Sequence, residues 1–294
     1  MKKVLFATKF RELAFDALES LLDLKAAGLK EVILTYIIPR EEVAFVPYGG
    51  YMKDEEERLR EQARIRFEDW QEALSKGGVD SKIRIEVGEP VPKLVRIAEK
   101  EKVNLIVAGR KKRTALEKVY VGSHTLDLLR RSTAIPVLIS KYMVYCDMEG
   151  QCVRRVNEHP FQRPLFATDW SKPSKNALEF ITTMKGAVDK VDVAHIIGVK
   201  ISKSLDKSEL NRIEKESKER LDKYCATLKK AGVKAEPHLT AGRTASEIIR
   251  LSRGLNSTMI VLGTTGKDRV KEFFVGSVSH RIAEASELPT LLVP

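Results

Sequence analysis

The residues of this sequence whose types and spacing could do chemistry are Gly263-Thr264-Thr265-Gly266, then nine residues, then Gly276-Ser277 ahead of a periodic apolar stretch from Val278 to Ala285. Glycine lets the backbone turn with positive φ and lets an anion approach the amides, because no Cβ stands in the way. A helix opening at Gly276-Ser277 adds free N–H donors and the positive end of its dipole, and the Ser277 hydroxyl is one donor more. That set is suited to holding phosphate groups. Other chemistry finds little support. There is no Gly-x-x-x-x-Gly-Lys-Ser/Thr loop, and His124, His159, His195, His238 and His280 show no pair at metal-ligand spacing. No metal ligand and no catalytic residue is therefore assigned. His124 and His280, close behind the two Gly-Ser pairs, read as partly exposed helix residues.

Such a loop works only where a strand delivers it and a helix receives it, so the surrounding elements matter. The chain is built twice. Val4-Leu5-Phe6-Ala7-Thr8-Lys9-Phe10 returns as Pro164-Leu165-Phe166-Ala167-Thr168-Asp169-Trp170; Leu105 to Gly109 returns as Met259 to Gly263; Val121-Gly122-Ser123 returns as Val275-Gly276-Ser277. A period near 150 residues is a duplicated domain rather than a solenoid. Within each copy, short aliphatic runs alternate with helical stripes such as Leu13, Ala14, Ala17, Leu18, Leu21 and Leu22. Ser171-Lys-Pro-Ser174 opens the first helix of the second copy, with a hydroxyl cap and Pro in the first turn. Five alternations predict an α/β fold: two tandem three-layer sandwiches, each with a five-stranded parallel sheet, Rossmann-like. The expected boundaries are residues 1–141 and 163–294, with 142–162 as linker. Ligands bind beyond the strand C-termini where the strand order reverses.

Asp169 after the first strand, taken with Gly-x-x-Gly, nine residues and Gly-Ser after the fourth, resembles the nucleotide-binding signature of the universal stress proteins. The resemblance spans nearly the whole chain. Ala241-Gly242-Arg243, Val87-Gly88-Glu89-Pro90 and the terminal Pro-Val-Leu-Ile and Pro-Thr-Leu-Leu-Val strands support it. It implies an adenine-nucleotide alpha-hydrolase-like sandwich whose second copy binds ATP, with Asp169 beside the ribose and backbone around His195 and Ile196 on the adenine edge. Gly263 and Gly266 would border the ribose and first phosphates, and Gly276 and Ser277 the distal phosphates, with Mg²⁺ accompanying them. The loop also accommodates ADP or AMP. Family members associate through the last strand of each sheet, so Ile135 to Ile139 and Leu288 to Val293 are expected to pair as an internal pseudo-dimer, with a further homodimer open. The function expected is a nucleotide-loaded regulatory module of the cytoplasm; a slow ATPase and a nucleotide-free protein interaction module are the alternatives.

The first copy departs from the pattern. Lys9 stands where Asp169 does and Lys112 where Gly266 does, although Gly122-Ser123 survives. Lysine cannot accept from ribose hydroxyls, and a Cβ at a close-approach position pushes phosphates away. Loss of ATP binding is expected there, the basic loop being a solvated one. Between the copies, Met143 to Val153 reads as a β-hairpin turning at Gly150, with Cys146 opposite Cys152. A disulfide is one option, and two free thiols are the default in a reducing compartment. Lys and Arg exceed Asp and Glu by 52 to 41, giving +11. The excess is spread over mixed faces such as Asp54 to Arg60, which argues against a nucleic-acid partner. No apolar run reaches the roughly 18 residues a membrane span needs.

Overall fold

The computed structural model describes residues 1–11, 13–45, 50–109, 123–131, 134–146, 152–199, 206–264 and 276–294. The first lobe runs β1 (Lys3–Ala7), α1 (Ala14–Glu19), β2 (Glu31–Ile38), α2 (Arg40–Val43), the short β3 (Ala44–Phe45) and β4 (Gly50–Tyr51), α3 (Lys53–Lys76), β5 (Asp80–Val87), α4 (Pro90–Lys100), β6 (Leu105–Gly109), α5 (Ser123–Arg131) and β7 (Val137–Ser140). An antiparallel hairpin, β8 (Tyr142–Cys146) with β9 (Cys152–Val156), follows, and its register sets Cys146 opposite Cys152. The second lobe runs β10 (Pro164–Ala167), α6 (Lys172–Thr183), β11 (Lys190–Gly198), α7 (Lys207–Lys230), β12 (Lys234–Gly242), α8 (Thr244–Gly254), β13 (Met259–Gly263), α9 (Ser277–Ala285) and β14 (Thr290–Val293).

The sheet order is β12-β11-β10-β13-β14-β7-β6-β1-β2-β5. Within each lobe's half of this sheet the pairings are parallel, the short β3 and β4 forming a separate antiparallel pair, and the order reverses between first and fourth strands, at β1/β6 and β10/β13. That is the doubly wound arrangement, with a switch point in each half. At the centre β14 and β7 pair antiparallel, Leu291 opposite Leu138. Two five-stranded sheets thus become one sheet of ten, and the apolar last strands have no open edge left.

Burial follows the strand alternation. Val4, Phe6, Val32, Leu34, Phe166, Val191 and Val193 face one side and pack with α1, α3, α6 and α7. Leu5, Ile33, Ile106, Leu165, Ala194 and Ile260 face the other and pack with α4, α5, α8 and α9. Each of these clusters runs through both lobes, so the halves share a core. On the α1/α6 side the seam is tight: a Cβ on Gly186 would lie 1.9 Å from Ala26 O. His159 Nδ1 also reaches Asp23 Oδ1 of the first lobe at 3.2 Å. Cys225, inside α7, is a packing residue at 3 % exposure, and burial pushes its thiol up to about 11.

The outer strands β5 and β12 are guarded by charge. Glu101, buried beside β5, accepts from Lys82 Nζ at 2.9 Å and from Arg84 Nη2 at 2.6 Å. The second lobe uses Asp192, fully buried on β11, with His238 Nε2 at 2.9 Å and Lys190 Nζ at 3.2 Å. Charged side chains at a sheet edge discourage another strand from adding there.

Candidate functional site

A crevice of ≈550 Å³ opens at the switch point of the second lobe, beyond the C-terminal ends of β10, β11 and β13. Asp169, His195, Ile196, Gly263, Gly276 and Ser277 all line it, so residues spread over more than one hundred positions meet in one cavity. Gly266 lies outside the described residues.

Each wall has a local cause. Thr168 Oγ1 accepts from Trp170 N at 3.1 Å, and Asp169 Oδ1 accepts from Ser171 N at 3.0 Å, folding the chain back as β10 ends. Trp170 takes up the left-handed backbone, φ 67°. Capping of α6 falls to Ser171, whose Oγ accepts from Ser174 N. Asp169 is therefore not the helix cap, and its carboxylate stands at the crevice, partly exposed.

The second wall arises because β11 outruns its neighbour. β10 pairs with β11 only as far as Ala167 opposite Ala194, and Thr168 N still donates to Ala194 O at 2.9 Å. β11 continues to Gly198, paired on its far side with β12. Backbone groups alternate between the two edges of a strand, so Ile196 turns its N–H and C=O to the same edge as Ala194. Beyond Thr168 no strand among the described residues meets that edge; the crevice does.

The third wall is the start of α9. Gly276 is buried and Ser277 is exposed at the first helical position, and the helix has no side-chain cap. The first amides of a helix have no intrahelical acceptor, so this end presents N–H groups and the positive dipole end to the cavity. Gly276 N donates to Thr264 O at 2.8 Å, and Ser279 Oγ to Gly263 O at 2.8 Å, which fastens the helix to the end of β13. Gly263 and Gly276 do not work by positive φ: Gly263 is not among the glycines with positive φ, and Gly276 sits at φ −59°. At Gly263 a Cβ would lie 2.8 Å from Ser174 N and 2.9 Å from Pro173. Its smallness thus serves the packing of α6 on β13, as well as lining the crevice.

Several wall residues escape a reading of motifs. The Trp170 ring lies 4.7 Å from that of His195 and 5.1 Å, edge-on, from that of Tyr224, with the Arg220 guanidinium 5.9 Å above it. His195 Nδ1 is 2.7 Å from Thr168 O. A carbonyl only accepts, so this nitrogen carries the proton. Arg220, Glu216 and Ile213 come from α7 and Thr244 from the start of α8, elements with no phosphate motif. Trp170 was signalled only by its place beside Asp169.

The first lobe repeats the frame around Phe10. Phe10 has φ 52°, its N donates to Thr8 Oγ1 at 2.8 Å, and its ring meets Tyr36, Phe67 and Trp70 at 5.3, 4.8 and 5.3 Å. Arg66 lies 5.3 Å over it, as Arg220 lies over Trp170. Lys9 is exposed at the position of Asp169. Lys112 and Gly122 are outside the described residues, as are the side chains of Ser123 and His124. His280 turns to Glu284, 3.4 Å away, and is absent from the crevice lining.

One constellation was invisible to spacing. Asp192, Glu236 and His238 each offer a ligand atom within 4.8 Å of the others. Lys190 Nζ already stands among them, 3.2 Å from Asp192 and 2.6 Å from Glu236. A metal would have to displace that ammonium. Burial works to raise the Asp192 pKa, but the hydrogen bonds from His238 and Lys190 outweigh it and hold the carboxyl below its ordinary value. The cluster is a neutralised buried carboxylate, the counterpart of Glu101 in the first lobe.

Fold and crevice together define a duplicated doubly wound α/β protein with a cavity over the switch point of its second lobe. The sequence profile described as the universal stress protein family matches residues 1–141 and again 160–294. The chain belongs to the universal stress protein family. Universal stress protein MJ0577 of Methanocaldococcus jannaschii is 32% identical over 154 residues, covering 48% of this chain and 94% of that protein. A universal stress protein from Archaeoglobus fulgidus superposes with a TM-score of 0.72 over 99% of this chain and 97% of that chain, at 19% identity. The functionally unknown protein PA1789 from Pseudomonas aeruginosa gives 0.63 over 99% and 92%, at 14% identity. At such identities the two structures speak for the fold alone.

Proposed function

We propose that the C-terminal lobe is a receptor for an adenine nucleotide, ATP foremost, and that the protein acts as a nucleotide-loaded regulatory module. The observation that carries this is one cavity shared by a carboxylate, a helix start and a strand edge, the last two neither capped nor paired by any side chain or strand among the described residues. The donor set suits each part of such a ligand. Ile196 offers a donor and an acceptor side by side, the pattern an aminopurine edge matches. Asp169 accepts from ribose hydroxyls, and the amides of Ser277 and Val278, with the Ser277 hydroxyl, take the phosphates, while Gly276, its own N–H held by Thr264 O, leaves them room. Mg²⁺ would travel with the phosphates, since it keeps several waters and needs few protein ligands. In the first lobe Lys9 removes the ribose acceptor, and ATP is not expected there.

The test is calorimetric titration of the purified protein with ATP and Mg²⁺, together with mass analysis of nucleotide released on denaturation. One equivalent per chain is expected. Asp169→Ala should weaken binding by at least about tenfold, the cost of one or two charge-assisted hydrogen bonds. Two equivalents per chain would overturn the assignment to one lobe, and no measurable affinity would overturn the proposal itself.

A further inference from the structure

We propose that Lys141 of the N-terminal lobe is a positioning residue for the crevice of the C-terminal lobe, acting through α9. The inference rests on the nucleotide reading for its functional meaning. Lys141 stands one residue past β7, the strand that pairs with β14 across the seam. Its side chain is 3 % exposed. Its ammonium donates to Ser286 O at 2.9 Å, to Thr290 Oγ1 at 3.0 Å and to Ile282 O at 3.4 Å. Burying a lysine is costly unless acceptors meet the charge; two of the acceptors here, Ile282 O and Ser286 O, sit at the end of α9, and the third, Thr290 Oγ1, opens β14. A cation at a helix C-terminus is favoured by the dipole.

The helix needs that cation from elsewhere. α9 has no basic residue in its last turn, whereas its counterpart in the first lobe, α5, ends in Arg130 and Arg131. The grip is not reciprocal, because the second-lobe residue matching Lys141 is Pro294, which has no cation to offer α5. The far end of the same helix is the start that faces the crevice at Gly276 and Ser277. Nine residues make a rod about 13 Å long, too short to bend appreciably. What grips its carbonyl end therefore acts, together with the two hydrogen bonds that fasten its start to β13, on the aim of its amide end. The lobe that lost the nucleotide motif holds the phosphate helix of the lobe that kept it.

Base and sugar contacts come from β11 and Asp169, and only phosphate contacts come from α9. Releasing the grip should therefore act on the phosphates selectively. In full-length Lys141→Met, ATP should bind about tenfold more weakly, while adenosine stays within about twofold. Hydrogen exchange of the ligand-free protein should show the amides of residues 278–283 exchanging faster. Thr290→Val removes a single acceptor at nearly constant volume; it should shift both readouts the same way by less, and it carries the comparison if the methionine variant does not fold. Equal weakening of ATP and adenosine, or unchanged exchange of α9, overturns the inference. If the wild type has no affinity for ATP, the nucleotide reading falls alone, and the exchange of α9 still decides whether Lys141 positions the helix.

Discussion

Gly186→Ala tests whether the two lobes are one body, and the structure sets its size. A Cβ at this position would lie 1.9 Å from Ala26 O, 2.4 Å from Ala26 C and 3.1 Å from Ala27 N. Relaxed carbon–oxygen contacts lie at about 3.3 Å or beyond. The seam must then open by roughly 1.4 Å, and both sides of the contact are backbone, so no side chain can swing away. Overpacking costs about 1–3 kcal/mol where side chains can yield; here about 3 kcal/mol is expected. At roughly 2–4 °C per kcal/mol, that lowers Tm by about 6–12 °C. Gly254, at the end of α8, is the control, because nothing lies within 4 Å of a Cβ there. Alanine at that position gains helix propensity and restricts the unfolded chain, raising stability by up to about 1 kcal/mol. Differential scanning calorimetry of both variants decides the matter. Should Gly186→Ala melt within about 1 °C of wild type, or Gly254→Ala fall as far, the seam argument is wrong.

Two further outcomes follow from the site and its surroundings. Asp192 has a folded pKa below its unfolded value, because the hydrogen bonds of His238 and Lys190 outweigh the opposing effect of burial. Its stabilisation is therefore full above the unfolded pKa near 4 and is lost as pH falls through the lower folded value. Asp192→Asn should cost about 2 kcal/mol at pH 7, and urea melts at successively lower pH should show the gap to wild type closing below about pH 4; a gap constant with pH would rule out the charge. The chain has two tryptophans, one in each lobe. In Trp70→Phe the remaining emission comes from Trp170, which lines the crevice. ATP should change that emission with the affinity measured by calorimetry, and Trp170→Phe should abolish the signal. A response surviving only through Trp70 would move the ligand to the other lobe.

Period and spacing were enough for much of this protein. The aliphatic runs, the repeat near 150 residues and the Ser171 cap specify strands, helices and duplication, because alternation and capping are local consequences of chain geometry. The spacing of Gly263 and Gly276-Ser277 likewise pointed to residues that line one crevice, because they end a strand and open a helix that follow one another in the chain. The remainder depends on residues that meet only when the sheet closes. Trp170 against His195, Arg220 above it, and the Asp192–Glu236–His238 group with Lys190 all bring together positions at least 25 apart. Gly263 shows how one residue can carry two reasons, since its lack of a Cβ is required by Pro173 and Ser174 and no spacing reveals that. Lys141 is the extreme case. From the sequence it is one lysine among many, and only the antiparallel pairing of β7 with β14 carries it to the end of a helix 141 residues away. Local patterns fix what each segment becomes, and the seam between lobes, set by packing over long separations, decides which of them act together.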